Sequence, residues 1–403
     1  MNSPHRFLAK GQTVKLAVLL FLPASTWAAP PDLLVNSYGS NSILRYDGAT
    51  GAFKGAFVTS GSGGLFQGIG LAFGPNATVF SSNNAPNSDI LAYSGVTGAF
   101  LSTFVPSGSG GLAAPASIIF GSDGNLYVAG YSSKAVLRYN GKTGAFIDVF
   151  ASGGSPLAPQ GLVFGPDGNL YLADEQKVIR YDGTTGALID IFVPQGTASG
   201  EPVPVAFGPD GNLYVGYDHT GVVRFDGQTG TLIDTFVPNG TGGLVIPQSL
   251  LFSPDGNLYV GDSAGNQVLR FNATTGVFVD AFVPPGSGGL NNTADLAFFP
   301  TLAVNLTPRS LTFAVQAVGT TSAPEYIHLT EVGSDPLTVT LPIGATGDFA
   351  AKSNCTSTVD SGANCTIAVR FTPTAAGART GYVVVKTSDP AGTQYIKLSG
   401  TGQ

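Results

Sequence analysis

The chain has 403 residues, 56 of them glycine and 27 proline, with only 11% charged residues and a formal charge of −7. So much turn former beside 43% hydrophobic residues points to many short strands joined by tight turns, and it excludes a disordered chain. The length accommodates two domains with sizeable cores, and the acidic balance argues against a nucleic-acid partner.

Residues 1–28 carry the pattern of a secretory signal peptide. His5, Arg6, Lys10 and Lys15 form a basic start, residues 16–22 an apolar run, and Thr26 and Ala28 are the small residues before a cut after Ala28. The apolar run falls short of the roughly 20 residues a membrane span needs. The expectation is an exported protein, periplasmic or extracellular, with no membrane span after cleavage. Losing this segment removes three basic residues and no acidic one, moving the formal balance from −7 to −10. The remainder holds two histidines, His219 and His328, and two cysteines, Cys355 and Cys365. So thin a stock of catalytic groups argues against an enzyme.

Self-comparison then exposes a repeat. ILRYDGATGAF (43–53) returns at 90–100, 136–146, 178–188, 222–232 and 268–278. Between these copies runs a second motif of the form GLVFGPDGNLYL, with its first Phe at 73, 120, 164, 207 and 252 and a truncated copy at Phe298. Each unit reads as four strands. The segment before Gly-Pro-Asp-Gly is an inner strand, Asp-Gly makes a hairpin turn, Asn-Leu-Tyr-Val is a second strand, Val-Leu-Arg-Tyr a third, and a Gly-x-Thr-Gly turn leads to a fourth. Four strands at this period predict an all-β propeller. Residues 32–47 supply later strands without an inner one, and 295–299 an inner strand without partners. The expected architecture is therefore a six-bladed β-propeller over 29–300, closed by its own termini.

The hairpin aspartates Asp123, Asp167, Asp210 and Asp255 read as turn formers. Arg45, Arg138, Arg180, Arg224 and Arg270 recur on the third strand. Their place in the outer half of each unit predicts salt bridges between blades, with Asp148, Asp190, Asp234 and Asp280 as partners. The repeats resemble NHL-type propellers, especially the virginiamycin B lyase-like group, through GPDGNLYV, the V-L-R-Y/F strand and the D-x-x-T-G turn over about residues 30–300. That resemblance implies a magnesium-assisted elimination using more than one histidine, whereas the repeats contain only His219.

From residue 301 the repeats stop. Apolar runs such as SLTFAV, TIAVRF, YVVVK and YIKL suit an immunoglobulin-like sandwich over 301–403. LTFAVQAVGTTSAP, CTIAVRFTPTAAGARTG and IKLSGTG resemble a choice-of-anchor D (ASPM-SPD-2-hydin type) module, which implies a non-catalytic domain. Cys355 and Cys365, in an exported chain, are expected to form a disulfide.

The residues that depart from the repeat fall in one sector. Asp174 and Glu175 stand in the loop between second and third strands of the fourth unit, Asp218 and His219 in the same loop of the fifth, and Glu201 in the connection between those units. These five, with Tyr131 and Tyr217 as stacking surfaces, are the candidate ligand mouth. Asn83, Asp174 and Asp262 occupy equivalent positions and are candidates for a hard cation, Ca²⁺ or Mg²⁺, although the sequence requires no cofactor. The reading favoured is a secreted bacterial binding, adhesion or scaffold module that takes a glycan, peptide or matrix ligand at this mouth. Its rival is a metal-dependent hydrolase or lyase acting at the same face, of lactonase or streptogramin lyase type, with His219 or Glu201 as general base.

Overall fold

The computed structural model describes residues 31–403 apart from 75–77, 85, 96, 155–157, 300–303, 332–336, 361–362 and 388–392. The expected signal peptide and the expected junction at residue 300 lie outside the described residues. Among the described residues there is no α-helix, and 33–298 form a β-propeller of repeated four-stranded antiparallel sheets.

In one such sheet Pro159–Phe164 is innermost, followed outward by Leu170–Asp174, Lys177–Tyr181 and Leu188–Val193. The other innermost strands are Gly68–Phe73, Pro115–Phe120, Pro202–Phe207, Pro247–Phe252 and Thr293–Phe298. Thr293–Phe298 does not start a sheet with the chain that follows it. It pairs antiparallel with Leu33–Ser37, placing Phe298 opposite Leu33 and Leu296 opposite Val35.

The repeated residues account for the packing between sheets. Asp167 Oδ1 accepts the Asn169 N–H at 3.1 Å, and its Oδ2 accepts the Tyr171 hydroxyl at 3.0 Å. The anchored Tyr171 ring lies 4.9 Å from Phe192 of its own outer strand and 4.9 Å from Phe207 of the next inner strand. Tyr127, Tyr214 and Tyr259 repeat this arrangement, and the last of them meets Phe298. Each such edge-on pair contributes roughly 0.5–1.5 kcal/mol beyond the area it buries. The Gly-x-Thr-Gly turn needs its second glycine. Gly186 sits at φ +73°, and a Cβ there would lie 1.7 Å from the Phe150 backbone oxygen.

The arginines do not bridge blades. Arg138, Arg180, Arg224 and Arg270 each hold the aspartate directly opposite on the adjacent strand of the same sheet, Asp148, Asp190, Asp234 and Asp280. Cross-strand register, with the pair facing one side of the pleat, overrides the expected contact between sheets. The guanidinium also stacks on the outer-strand ring, as Arg138 does 4.9 Å from the Phe150 centroid. Where Gly55 stands opposite Arg45, the arginine turns instead to Asp32 at 2.6 Å and to the Phe299 ring at 4.4 Å.

Residues 304–402 form two further four-stranded sheets and a short two-stranded one. Strands such as Asn364–Phe371 and Gln394–Gly402 alternate inward apolar with outward polar residues, and their buried faces share a core around Phe313, Phe349, Phe371, Ile367 and Leu398. Cys355 and Cys365 lie within this core at disulfide distance, with sulfurs 2.04 Å apart. His328 is exposed on Glu325–Glu331.

Candidate functional site

Where the last residue of a second strand is Asn or Asp, it lies beneath the connection arriving from the preceding sheet, and its side chain satisfies that connection's backbone. Asn83 accepts the Phe66 N–H at 2.6 Å and donates to Gly64 O at 2.9 Å. Asp174 accepts the Ala158 N–H at 2.8 Å, and Asp262 those of Ile246 at 2.9 Å and Val245 at 3.2 Å. All three are buried. Their acceptors are therefore engaged in holding loops, a different occupation from the cation set expected of them. They also stand on different sheets, and among the described residues no group of three or more His, Cys, Asp or Glu is placed to hold a metal ion.

Where the strand ends in another residue type, the same work moves to a neighbour. Gly130 has no side chain, and Ser133 accepts the Ala113 N–H at 2.8 Å. Tyr217 is 2% exposed and packs in the core with Val193, Val205 and Phe225. Tyr217 is consequently no stacking surface, and Asp218 takes over its polar role by accepting the Glu201 N–H at 2.9 Å.

Tyr131 is different. The residue is 41% exposed, and its hydroxyl donates to Glu175 Oε1 of the next sheet. That bond, then burial and the nearby Glu175, Glu201 and Asp174 charges, push the Tyr131 phenol up. Glu201 is raised by burial first, then by Glu175 and Asp218, while His219 pulls it down. His219 Nε2 lies 3.6 Å from Asp218 Oδ2. Contacts and charges thus link Tyr131, Asp174, Glu175, Glu201, Asp218 and His219 as neighbours.

Two cavities open there. The larger, about 560 Å³, runs between the innermost strands and is lined mainly by their second to fourth residues, with Tyr131, Ser132 and Asn84 at the mouth. The smaller, about 380 Å³, lies between Tyr131, Lys134, Ala158, Glu175 and Gln176. Tyr131 and Ser132 line both. Glu201, Asp218 and His219 line neither.

Sequence reasoning missed the residues of the larger cavity. Its polar positions are Ser117, Gln160, Gln248, Ser249 and Asp295, set among Ile69, Leu71, Ile118, Leu162, Leu250 and Leu296. Asp295 accepts the Ser249 hydroxyl at 2.7 Å and the Leu71 and Leu296 N–H groups at 2.9 Å each. Desolvation outweighs these bonds and pushes its carboxyl up to about 6. A signal was present: in the six inner strands this position is otherwise Gly70, Ser117, Gly161, Pro204 or Ser249, and a charged residue stands out in that column.

No protein-family model matches the chain, and no curated protein matches it. Solved structures do. One in a nidogen/laminin complex is 19% identical with a TM-score of 0.54, over 66% of this chain and 98% of that one. A protein of unknown function from Bacteroides caccae is 15% identical with a TM-score of 0.50, over 66% and 98%. A streptogramin B lyase is 17% identical with a TM-score of 0.46, over 64% and 83%. At the identities of the first two, what is shared is the β-propeller fold.

Proposed function

We propose that this chain is a secreted bacterial binding or adhesion protein, non-enzymatic, whose propeller takes a ligand at the rim sector around Tyr131. In this reading residues 29–300 form six blades closed by the chain's own ends, which the pairing of Thr293–Phe298 with Leu33–Ser37 supports. Residues 301–403 form an immunoglobulin-like spacer of choice-of-anchor D type, a reading supported by two sheets sharing one core. Export is supported by the paired cysteines, which persist in oxidising compartments. Among the described residues no helix is long and apolar enough to cross a membrane.

The observation that carries the reading is the Tyr131–Glu175 contact between adjacent sheets, in which Tyr131 lines both cavities and Glu175 the smaller one. A half-exposed aromatic face beside carboxylate acceptors suits a hydroxyl-rich ring, so a glycan fits better than a peptide or other matrix component. A solved propeller of this fold in a nidogen/laminin complex is a precedent for a propeller in a binding assembly. The rival, a metal-dependent hydrolase or lyase with Glu201 or His219 as base, has less in its favour because Asn83, Asp174 and Asp262 already serve the loops.

The test is an oligosaccharide array probed with the wild type, with Tyr131→Ala and with a triple Glu175→Gln, Glu201→Gln, His219→Ala variant. Specific signals lost in both variants, at unchanged melting temperature, are expected. Signals that survive both would move the site elsewhere.

A further inference from the structure

Among the described residues, the channel between the innermost strands holds one acidic side chain, Asp295, in a wall otherwise apolar or neutral. Three donors reach its carboxylate, two of them backbone N–H groups and one the Ser249 hydroxyl, and no described Lys, Arg or His lines the cavity. A carboxylate has about four acceptor sites, so Asp295 retains capacity for another donor. The unfilled acceptor capacity of this single carboxylate calls for a guest that only donates. The surrounding Leu71, Ile118, Leu162, Leu250 and Leu296 call for an aliphatic body behind that donor.

From this we infer that the channel is a binding site for a primary aliphatic amine, with the ammonium on Asp295 and the alkyl chain along the leucine-rich wall. A half-buried carboxylate that gains a cation recovers part of the solvation it lost, and an ammonium supplies three donors where an alcohol supplies one. The site centres on Asp295 rather than on the acidic rim residues Glu175 and Glu201, and it does not depend on the glycan reading, although Tyr131 lines both cavities.

The experiment compares n-hexylammonium, n-hexanol and hexanoate by calorimetry on the full mature chain near neutral pH. Hexylammonium should bind at least about tenfold more tightly than hexanol, the worth of one charge-assisted contact, and hexanoate should not bind. Asp295→Asn should reduce the amine to the level of the alcohol. Glu175→Gln with Glu201→Gln should leave amine binding intact, which separates this site from the acidic rim. Should Asp295→Asn fail to fold, methyl-labelled wild-type protein gives the same decision: the methyl signals of Leu71, Ile118, Leu250 and Leu296 must shift on adding hexylammonium. Equal binding of amine and alcohol, loss of amine binding in the rim variant, or unmoved channel methyls would overturn the inference.

Discussion

Asp295 should give the propeller an inverted acid response. Its carboxyl rises from 3.8 unfolded to about 6 folded, chiefly through desolvation. A raised carboxyl means the folded state binds its proton more tightly than the unfolded chain does. The resulting stabilisation is complete below the unfolded value and is lost as pH climbs through about 6. A rise of that size corresponds to about 3 kcal/mol, or several degrees of melting temperature for a domain of this size. The strands packed against Asp295 are Gly68–Phe73, Pro247–Phe252, Leu33–Ser37 and Asn257–Asp262. They carry only Tyr259 and Asp262 as titratable groups. Asp123, Asp167 and Asp255 oppose the trend at lower pH. Burial raises them, but the amide and hydroxyl donors of their turns outweigh it and hold them below the usual carboxylate range. Stability should therefore increase on acidification from neutral to about pH 5, then fall as the turn carboxylates protonate. The assay is calorimetric melting across that range for wild type and Asp295→Asn, with a carboxyl NMR titration of Asp295. Parallel pH profiles in the two proteins, or a titration midpoint near 4, would refute the reasoning.

Asp262→Ala strands the Val245, Ile246 and Gly265 N–H groups, and urea unfolding should show a loss of about 3 kcal/mol. A loss below about 1 kcal/mol would mean that water replaces the clamp. Arg180→Met should cost only about 1 kcal/mol despite the short contact to Asp190, because the aspartate is 42% exposed and solvent screens the pair. A double-mutant cycle with Asp190→Asn measures the coupling. Reducing Cys355–Cys365 opens a cross-link of 10 residues' separation. On the chain-entropy model that removes about 3 kcal/mol, to be read in the 304–402 unit by hydrogen exchange while the propeller amides keep their protection.

How much of this was legible depends on whether a residue's task is fixed by the repeat or by what surrounds it. Asp-Gly-Asn-Leu-Tyr specifies its own turn, and the anchored tyrosine then finds the phenylalanines that the same repeat supplies at fixed offsets, as Tyr171 finds Phe192 and Phe207. Local chemistry suffices there. The arginine–aspartate pairs were legible as pairs, but a one-dimensional pattern does not say which side of the pleat they share, so the expected partner sheet was the wrong one. The position of Asn83, Asp174 and Asp262 is more instructive. Equivalent oxygen ligands on several blades resemble a converging cation set, yet the recurrence arises because every arriving connection carries unsatisfied N–H groups that need an acceptor. Ser133 and Asp218 supply the acceptor from other positions where Gly130 and Tyr217 cannot. Subtracting the residues that this need explains removes Asp174 and Asp218 from the candidate site. Glu175, Glu201, His219 and Tyr131 remain, residues whose side chains no repeated structural demand accounts for. Asp295 belongs with them by the same logic. Its carboxylate takes bonds from Leu71 and Ser249 of the two flanking inner strands, and it is the one acidic side chain among the described residues lining the channel; the comparison of amine with alcohol decides whether that charge also meets a guest.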